Sequence, residues 1–314
     1  MLIPADRIEA AYHQIDRIFK ASPHFVSDAL SEMMGATILC KDETRNPIGS
    51  FKGRGASWWM SRHPEIRKVV CASAGNFGQG IAYAGRSAGC EVQIVAATTA
   101  NPAKVAAMRD LGATVHLEGS DFDAAKDAAR MLAKSVDGYF LEDGADVEIA
   151  EGAGTIGIEL SRYKRGIDAV LVPVGNGALA NGIGSYLKAA RPDVRLIGVC
   201  AEQAPSMAMS WKSGRVVSTE TADTIADGIA VRNPVPEALR ILAGAIDEMV
   251  VVSESDIKGA MQLLYRLEGI ITEPAGAVSL AAISKVAKRM PGKTLAMLIC
   301  GSNIDPTMKH RWLG

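Results

Sequence analysis

One lysine in this chain has neighbours suited to carbonyl chemistry. Lys52 lies within Asn46-Pro47-Ile48-Gly49-Ser50-Phe51-Lys52-Gly53-Arg54-Gly55, just after an apolar stretch, Ala36 to Lys41, that reads as a strand. Pro47 and Gly49 end that strand, the first by fixing a backbone angle and the second by freeing one. The run Ala56-Ser57-Trp58-Trp59-Met60 reads as a buried helix, which puts Lys52 at a strand-to-helix junction and partly out of water. Desolvation favours the neutral amine, the form that attacks a carbonyl carbon. A solvated lysine that merely opens a helix has the same local pattern, so the chemistry turns on what other loops supply.

Three further loops follow apolar runs, and the first two open helices. Ser73-Ala74-Gly75-Asn76, followed by Phe77, combines small residues that permit a tight turn with unpaired helix-start amides, a ready seat for a carboxylate. A plain helix cap explains one of these residues but not the whole cluster. Gly175-Asn176-Gly177-Ala178, followed by Leu179, can cradle a phosphate on backbone amides. With Ala180 it also fits the GxGxxG/A dinucleotide fingerprint, and Glu202 ends the next strand as a ribose-binding acid would, so a nicotinamide-dependent dehydrogenase is a competing local reading. Cys300-Gly301-Ser302-Asn303 ends another strand, where a cysteine is ordinarily a small buried hydrophobe.

The elements that must position these loops alternate along the chain. A helix over Ser27 to Met34 precedes the first strand and the Lys52 helix. Strands are expected at Val69–Ala72, Val92–Ala96 and Thr114–Leu117, with helices at Phe77–Ala88, Ala103–Leu111 and Phe122–Lys134. The rhythm pauses near Gly144. It resumes with a helix over Glu151–Tyr163, the strand Ala169–Val174, a helix reaching Leu187 and the strand Arg195–Cys200. Helices over Ser255–Leu267 and Ala277–Lys288 and the strand Thr294–Ile299 follow. This βαβα order implies parallel sheets covered on both faces, with ligands at the carboxyl ends of the strands.

The bulk composition narrows the function classes. The chain has 314 residues, is 48% hydrophobic and carries a net charge of −1, as an ordinary globular protein of two domains or one large α/β domain would. Near-neutral charge argues against nucleic acid or an anionic membrane as the main partner. The five cysteines, Cys40, Cys71, Cys90, Cys200 and Cys300, are scattered without a CxxC, so neither a disulfide framework nor a zinc site is implied. Met1 to Lys20 reads as an amphipathic helix, not a signal peptide, and no apolar run reaches the ~18 residues of a membrane span. A reducing cytoplasm is the default setting.

Pro47, Gly49-Ser50-Phe51-Lys52 and Arg54-Gly55-Ala56 resemble the signature of the pyridoxal-phosphate (PLP) enzymes related to threonine and serine dehydratases. Thr224-Ile225-Ala226-Asp227-Gly228-Ile229-Ala230-Val231-Arg232-Asn233-Pro234 and Glu273-Pro274-Ala275-Gly276-Ala277 resemble two more segments of that family, and the matches run in order from about residue 20 to residue 305. The resemblance implies a fold type II α/β enzyme with two doubly wound parallel-sheet domains and PLP in the cleft between them. It places a large PLP-binding domain over 1–67 and 146–314 and a small substrate-loop domain over 68–145.

The resemblance also assigns residues. Lys52 carries the cofactor as a Schiff base beside Phe51, and Asn76 hydrogen-bonds its ring hydroxyl. Gly175, Asn176, Gly177, Ala178 and Leu179 hold its phosphate, Cys300 faces its pyridine nitrogen, with Ser302 as a second candidate for that contact, and Glu273 belongs to the same cofactor site. Ser73, Ala74, Gly75, Asn76 and Phe77 form the substrate loop. Several positions depart from the family pattern. Ala74 stands where the related serine racemase has a second base, which disfavours racemisation. Phe77 replaces a His or small residue, and Asn176 and Ala178 replace two glycines of the phosphate cup, Ala178 being the less comfortable change. A neutral partner on the ring nitrogen makes a weaker electron sink and favours prompt loss of a group from Cβ.

The expected activity is therefore an ammonia-lyase that eliminates water from a 3-hydroxy amino acid, threonine or serine or a relative, to give a 2-oxo acid and ammonia. β-Replacement or racemisation on the same fold and a catalytically silent PLP carrier are the alternatives, with the dehydrogenase a distant one. The implied partner is a small amino acid, with a homodimer as the family's default. Glu202 lacks an acidic companion through Ser210, so no divalent metal site is expected.

Overall fold

Runs of Val, Ile, Leu and Ala too apolar to face water on either side become interior strands. The computed structural model, which describes residues 1–313, contains β1 (His24–Val26), β2 (Thr37–Asp42), β3 (Lys68–Ala72), β4 (Glu91–Ala96), β5 (Thr114–Leu117), β6 (Tyr139–Phe140), β7 (Ala169–Pro173), β8 (Arg195–Ala201), β9 (Glu248–Val252) and β10 (Thr294–Ile299). They form two sheets. One has the order β1-β2-β10-β7-β8-β9 and is parallel except for β1; the other has the order β5-β4-β3-β6 and is parallel throughout.

Register decides which side chains meet. Leu39, Ala296, Val170 and Leu196 lie in one row across four strands, and Cys40, Met297, Leu171 and Ile197 lie in the next. Successive residues point to opposite faces. The first row accordingly belongs to the core beneath the helix Ala178–Ala190, and the second to the core beneath Glu254–Glu268 and Pro274–Ala287. The carboxyl ends of β2, β10 and β7 therefore lie side by side, and the loops after them open on one edge.

The helix Val147–Ser161 is a platform for two others. On one side Gly152 faces the Lys52–Arg62 helix, where an added Cβ would meet Arg54 O at 2.5 Å; Gly55 is equally close to Ile149 O. On another side Gly182 of Ala178–Ala190 approaches Ala150 O so closely that an added Cβ would lie 2.0 Å away. Small residues let these backbones nearly touch. The lysine helix and the glycine-loop helix are thus docked on one support. Trp59 and Met60 of the lysine helix share a core with Val69, Ile81 and Ile94 of the second sheet's layer.

Most expected elements are present within one to four residues of their limits. The N-terminal helix is shorter than the expected Met1–Lys20: it spans Ala5–Gln14, and extended backbone at Ile15 and a 3-10 turn over Arg17–Phe19 complete the segment. The short edge strands β1 and β6, the strand β9 and the helices Ser206–Ser213, Pro236–Ala245 and Pro306–Leu313 add to the expected set. No described helix is long and apolar enough to cross a membrane.

Candidate active site

The turn before Lys52 is held by its own asparagine. Asn46 Oδ1 accepts from the Ile48 and Ser50 amides, and its Nδ2 donates to Glu43 O at 2.8 Å and Ser50 O at 3.1 Å. Gly49 has φ +59°, and an added Cβ would lie 2.8 Å from Ser302 Oγ, so a glycine is required on two grounds. The turn is stitched to the loop after β10: the Phe51 amide donates to Cys300 O, the Ser302 amide donates to Gly49 O, and Asn303 Nδ2 donates to Ile48 O. Ser302 Oγ also donates to Gly49 O, so this hydroxyl serves the turn.

Lys52 opens its helix with 13% of its side chain exposed. Its Nζ lies 2.6 Å from Asp143 Oδ2, 4.9 Å from the Phe51 ring centre and 5.5 Å from that of Phe77. No local sequence pattern singles out Asp143. It follows the two-residue strand β6, too short to register as a strand in the pattern, and the Asp-Gly pair with Gly144 was the available signal. Its second oxygen, Oδ1, is buried without a partner.

The Asp143-Gly144 turn leads to the glycine loop. Gly144 has φ +94° and packs so near Asn176 that an added Cβ would sit 2.9 Å from Asn176 O. Within Gly175–Leu179 only Gly177 has positive φ, at +90°. Asn176 and Ala178 therefore need no left-handed backbone, and the expected discomfort at Ala178 does not arise; it is the first residue of the helix Ala178–Ala190. No side chain caps this helix start, so its first amides are unspent and the helix dipole adds partial positive charge.

Before the helix Asn76–Ala88, Ser73 Oγ accepts from the Gly75 and Gly78 amides at 3.1 and 2.9 Å. The serine shapes its loop and leaves the helix-start amides of Asn76 and Phe77 unpaired among the described residues. Asn76 Nδ2 donates to Glu273 Oε1 at 2.5 Å, and its Oδ1 accepts from Asn303 Nδ2 at 2.7 Å. Asn303 so joins the Lys52 turn to the Ser73–Phe77 loop.

Glu273 is fully buried. Burial pushes its carboxyl up to about 7; Asp227 adds to the rise, and Lys104, the Asn76 bond and Lys52 oppose it. The Cys300 thiol donates to Ala275 O at 3.4 Å. Burial first, and Glu273 second, push it well above the usual thiol range, so it is a neutral S–H.

Arg54, two residues beyond Lys52, belongs to a buried ionic quartet. Its guanidinium donates to Glu43 at 2.8 and 3.0 Å and to Glu159 at 2.8 Å, and Lys41 pairs with Glu159 at 2.5 Å. Arg54, Lys41 and Glu43 are essentially unexposed and Glu159 retains 7%. The quartet ties the lysine helix to the end of β2 and to the platform helix.

Lys52, Phe51, Asn76, Phe77, Glu273 and Cys300 thus share one network, and Asn176 reaches it through Gly144 and Asp143. The arrangement offers a primary amine between two aromatic rings, an uncapped helix start for a phosphate, a neutral thiol and a protonatable carboxyl. That donor set fits PLP. Residues 16–301 match the family model described as pyridoxal-phosphate dependent enzyme. The chain is 36% identical to an L-threonine ammonia-lyase of Thermotoga maritima over 99% of its own length and 78% of that protein. It is 33% identical to the catabolic L-threonine dehydratase of Escherichia coli, over 96% and 92% of the two chains. The processed form of threonine deaminase isoform 2 from Solanum lycopersicum superposes with a TM-score of 0.90 at 31% identity, covering 99% of this chain and 93% of that one. With this sequence match, this fold and this donor set, the chain belongs to the pyridoxal-phosphate dependent enzymes of fold type II.

Proposed function

We propose that this chain is an ammonia-lyase that removes water from threonine, serine or a related 3-hydroxy amino acid and yields a 2-oxo acid and ammonia. The observation that carries the reading is Lys52, a nearly buried amine on Asp143 between Phe51 and Phe77, beside the uncapped helix start at Gly177. Bound PLP supplies the electron withdrawal that loosens the Cα proton of an attached amino acid. Lys52 is the residue that would hold the cofactor and then, as a free amine, take the Cα proton. Asp143, which accepts from Lys52 Nζ at 2.6 Å, would position the amine whenever it is not bound to the cofactor. The amides of Gly175 to Leu179 would hold the phosphate, and the Asn76 and Phe77 amides would orient the substrate carboxylate. Cys300, a neutral thiol, is the residue that would face the cofactor's ring nitrogen, and without an ionic charge there it would favour loss of the β-hydroxyl. Phe51 and Phe77 exclude water from the amine.

The same reading divides the chain into 1–67 with 146–314 and 68–145, in accord with the two sheets, and carries a cytoplasmic homodimer, tested by sedimentation. For the activity, the purified protein's absorbance is recorded before and after borohydride and with a panel of 3-hydroxy amino acids. A visible band that borohydride bleaches, with keto acid released from a panel member, is the expected result. Lys52→Ala should lose both the band and turnover. An active, colour-forming Lys52→Ala protein refutes the assignment, and product formed only with added sulfide refutes elimination in favour of β-replacement.

A further inference from the structure

Lys104 lies outside every role assigned above. It is in the first turn of the helix Pro102–Asp110, whose start is capped by Asn101 Oδ1 accepting from the Ala103 amide at 2.8 Å. From there the side chain reaches the substrate loop: a Cβ built on Gly75 would lie 3.9 Å from both Lys104 Cδ and Nζ. The ammonium pairs with Asp227. Lys104 keeps 11% of its side-chain exposure, against 58% for Asp227. Burial works against the charge, but Asp227, Glu273 and Asp305 together outweigh it and hold Lys104 above the usual lysine range. A buried cation is thus paired with an anion that is itself mostly in water. Such a partner returns to solvent at small cost when another anion arrives.

The backbone marks where that anion would lie. Ser73 Oγ occupies the Gly75 and Gly78 amides, and the Gln79 amide donates to Gly75 O. The Asn76 and Phe77 amides remain, directly beside the glycine over which Lys104 extends. We propose that Lys104 is a specificity-determining residue whose ammonium exchanges Asp227 for the carboxylate of the amino-acid substrate, so that the site selects a free carboxylate over a carboxamide. This rests on the reading that the Ser73–Phe77 loop takes the substrate carboxylate. A rigid strut between Lys104 and Asp227 makes the opposite prediction for the partner: both residues would then be needed equally.

The test uses the PLP-loaded protein as wild type, Lys104→Met, Lys104→Arg and Asp227→Asn. L-Alanine and L-alaninamide, which lack a leaving group, are titrated against the cofactor's visible spectrum, and kcat and KM are measured for L-threonine. Lys104→Met is expected to weaken L-alanine roughly ten- to a hundredfold, as for loss of a charged hydrogen bond. L-Alaninamide should change little, so the carboxylate preference collapses, and KM should rise by more than kcat falls. Lys104→Arg should restore most of the preference. Asp227→Asn, which removes the competing anion, should tighten L-alanine severalfold. Equal weakening by Lys104→Met and Asp227→Asn, or an unchanged carboxylate preference in Lys104→Met with the cofactor band intact, overturns this proposal alone. A wild-type protein without a cofactor band overturns the lyase reading and this proposal with it.

Discussion

Glu273 should make the cofactor-depleted protein less stable as pH rises through neutrality. Its carboxyl titrates near 4.5 in an unfolded chain and at about 7 in the folded one, where it is fully buried. Between those values the folded state retains a proton that the unfolded state has released, so folding loses ground with increasing pH. The effect is absent below pH 4, where both states are protonated, and complete above pH 8. At 1.36 kcal/mol per pH unit the whole shift is worth about 3 kcal/mol, and the part falling between pH 5 and 8 about 2–3 kcal/mol. With an unfolding entropy of ~2.1 cal/mol/K per residue, that corresponds to roughly 4 °C in midpoint for a chain of this length. Glu273→Gln keeps an oxygen for Asn76 Nδ2 but cannot ionise. Thermal unfolding of both proteins at pH 5 and pH 8 isolates the one group, because every other titration is common to the pair. The wild type should lose the stated increment relative to the variant. Parallel pH dependence in the two proteins would refute the argument, since it would mean that Glu273 is either solvated or already ionised at pH 5.

Gly301→Ala would place a Cβ 2.1 Å from Glu273 Oε1 and 2.9 Å from Asn76 Nδ2; it should cost about 1–3 kcal/mol in urea unfolding and shrink the pH effect just described by displacing the carboxyl. Gly182→Ala drives a methyl against Ala150 O and the Gly154 backbone and should cost at least as much, read by the same unfolding curve, because helix backbones and not flexible side chains must give way. Arg54→Met leaves Glu43 and Glu159 buried without their guanidinium, and a loss of about 3–5 kcal/mol is expected; an unchanged urea midpoint would contradict the burial of those carboxylates.

Periodicity and turn chemistry made most of the fold legible. Strands such as Val69–Ala72 and Thr294–Ile299 are short apolar runs, the first followed by Ser73 and the second starting just after Gly292 and ending just before Gly301, and their length and flanking turn residues favour strand. The Lys52 turn was equally readable, since Pro47 and Gly49 punctuate it and the aromatic run after Arg54 identifies the buried helix. What the sequence concealed was contact made at long range. Asp143 is an acid before a glycine in a stretch with no rhythm, and only its 2.6 Å approach to a lysine 91 residues earlier gives it a role. The bonds that two loop amides donate to the Ser73 hydroxyl are likewise contacts that no local pattern announces. The two edge strands β1 and β6 have three and two residues, too few for alternation to be counted.

The buried quartet of Arg54, Lys41, Glu43 and Glu159 has an evolutionary consequence. Two cations and two anions cancel inside a region that water scarcely reaches, so replacing any one member strands an opposite charge. Change at these positions is passable only in compensated steps: a cation and an anion lost together, or the whole group exchanged for apolar residues of similar volume. Among descendants of a common ancestor the four positions should therefore covary as a block, even though Lys41 and Glu159 are 118 residues apart in the chain and neither touches Lys52. The latitude for drift around Lys52 is set by charge neutrality as much as by shape.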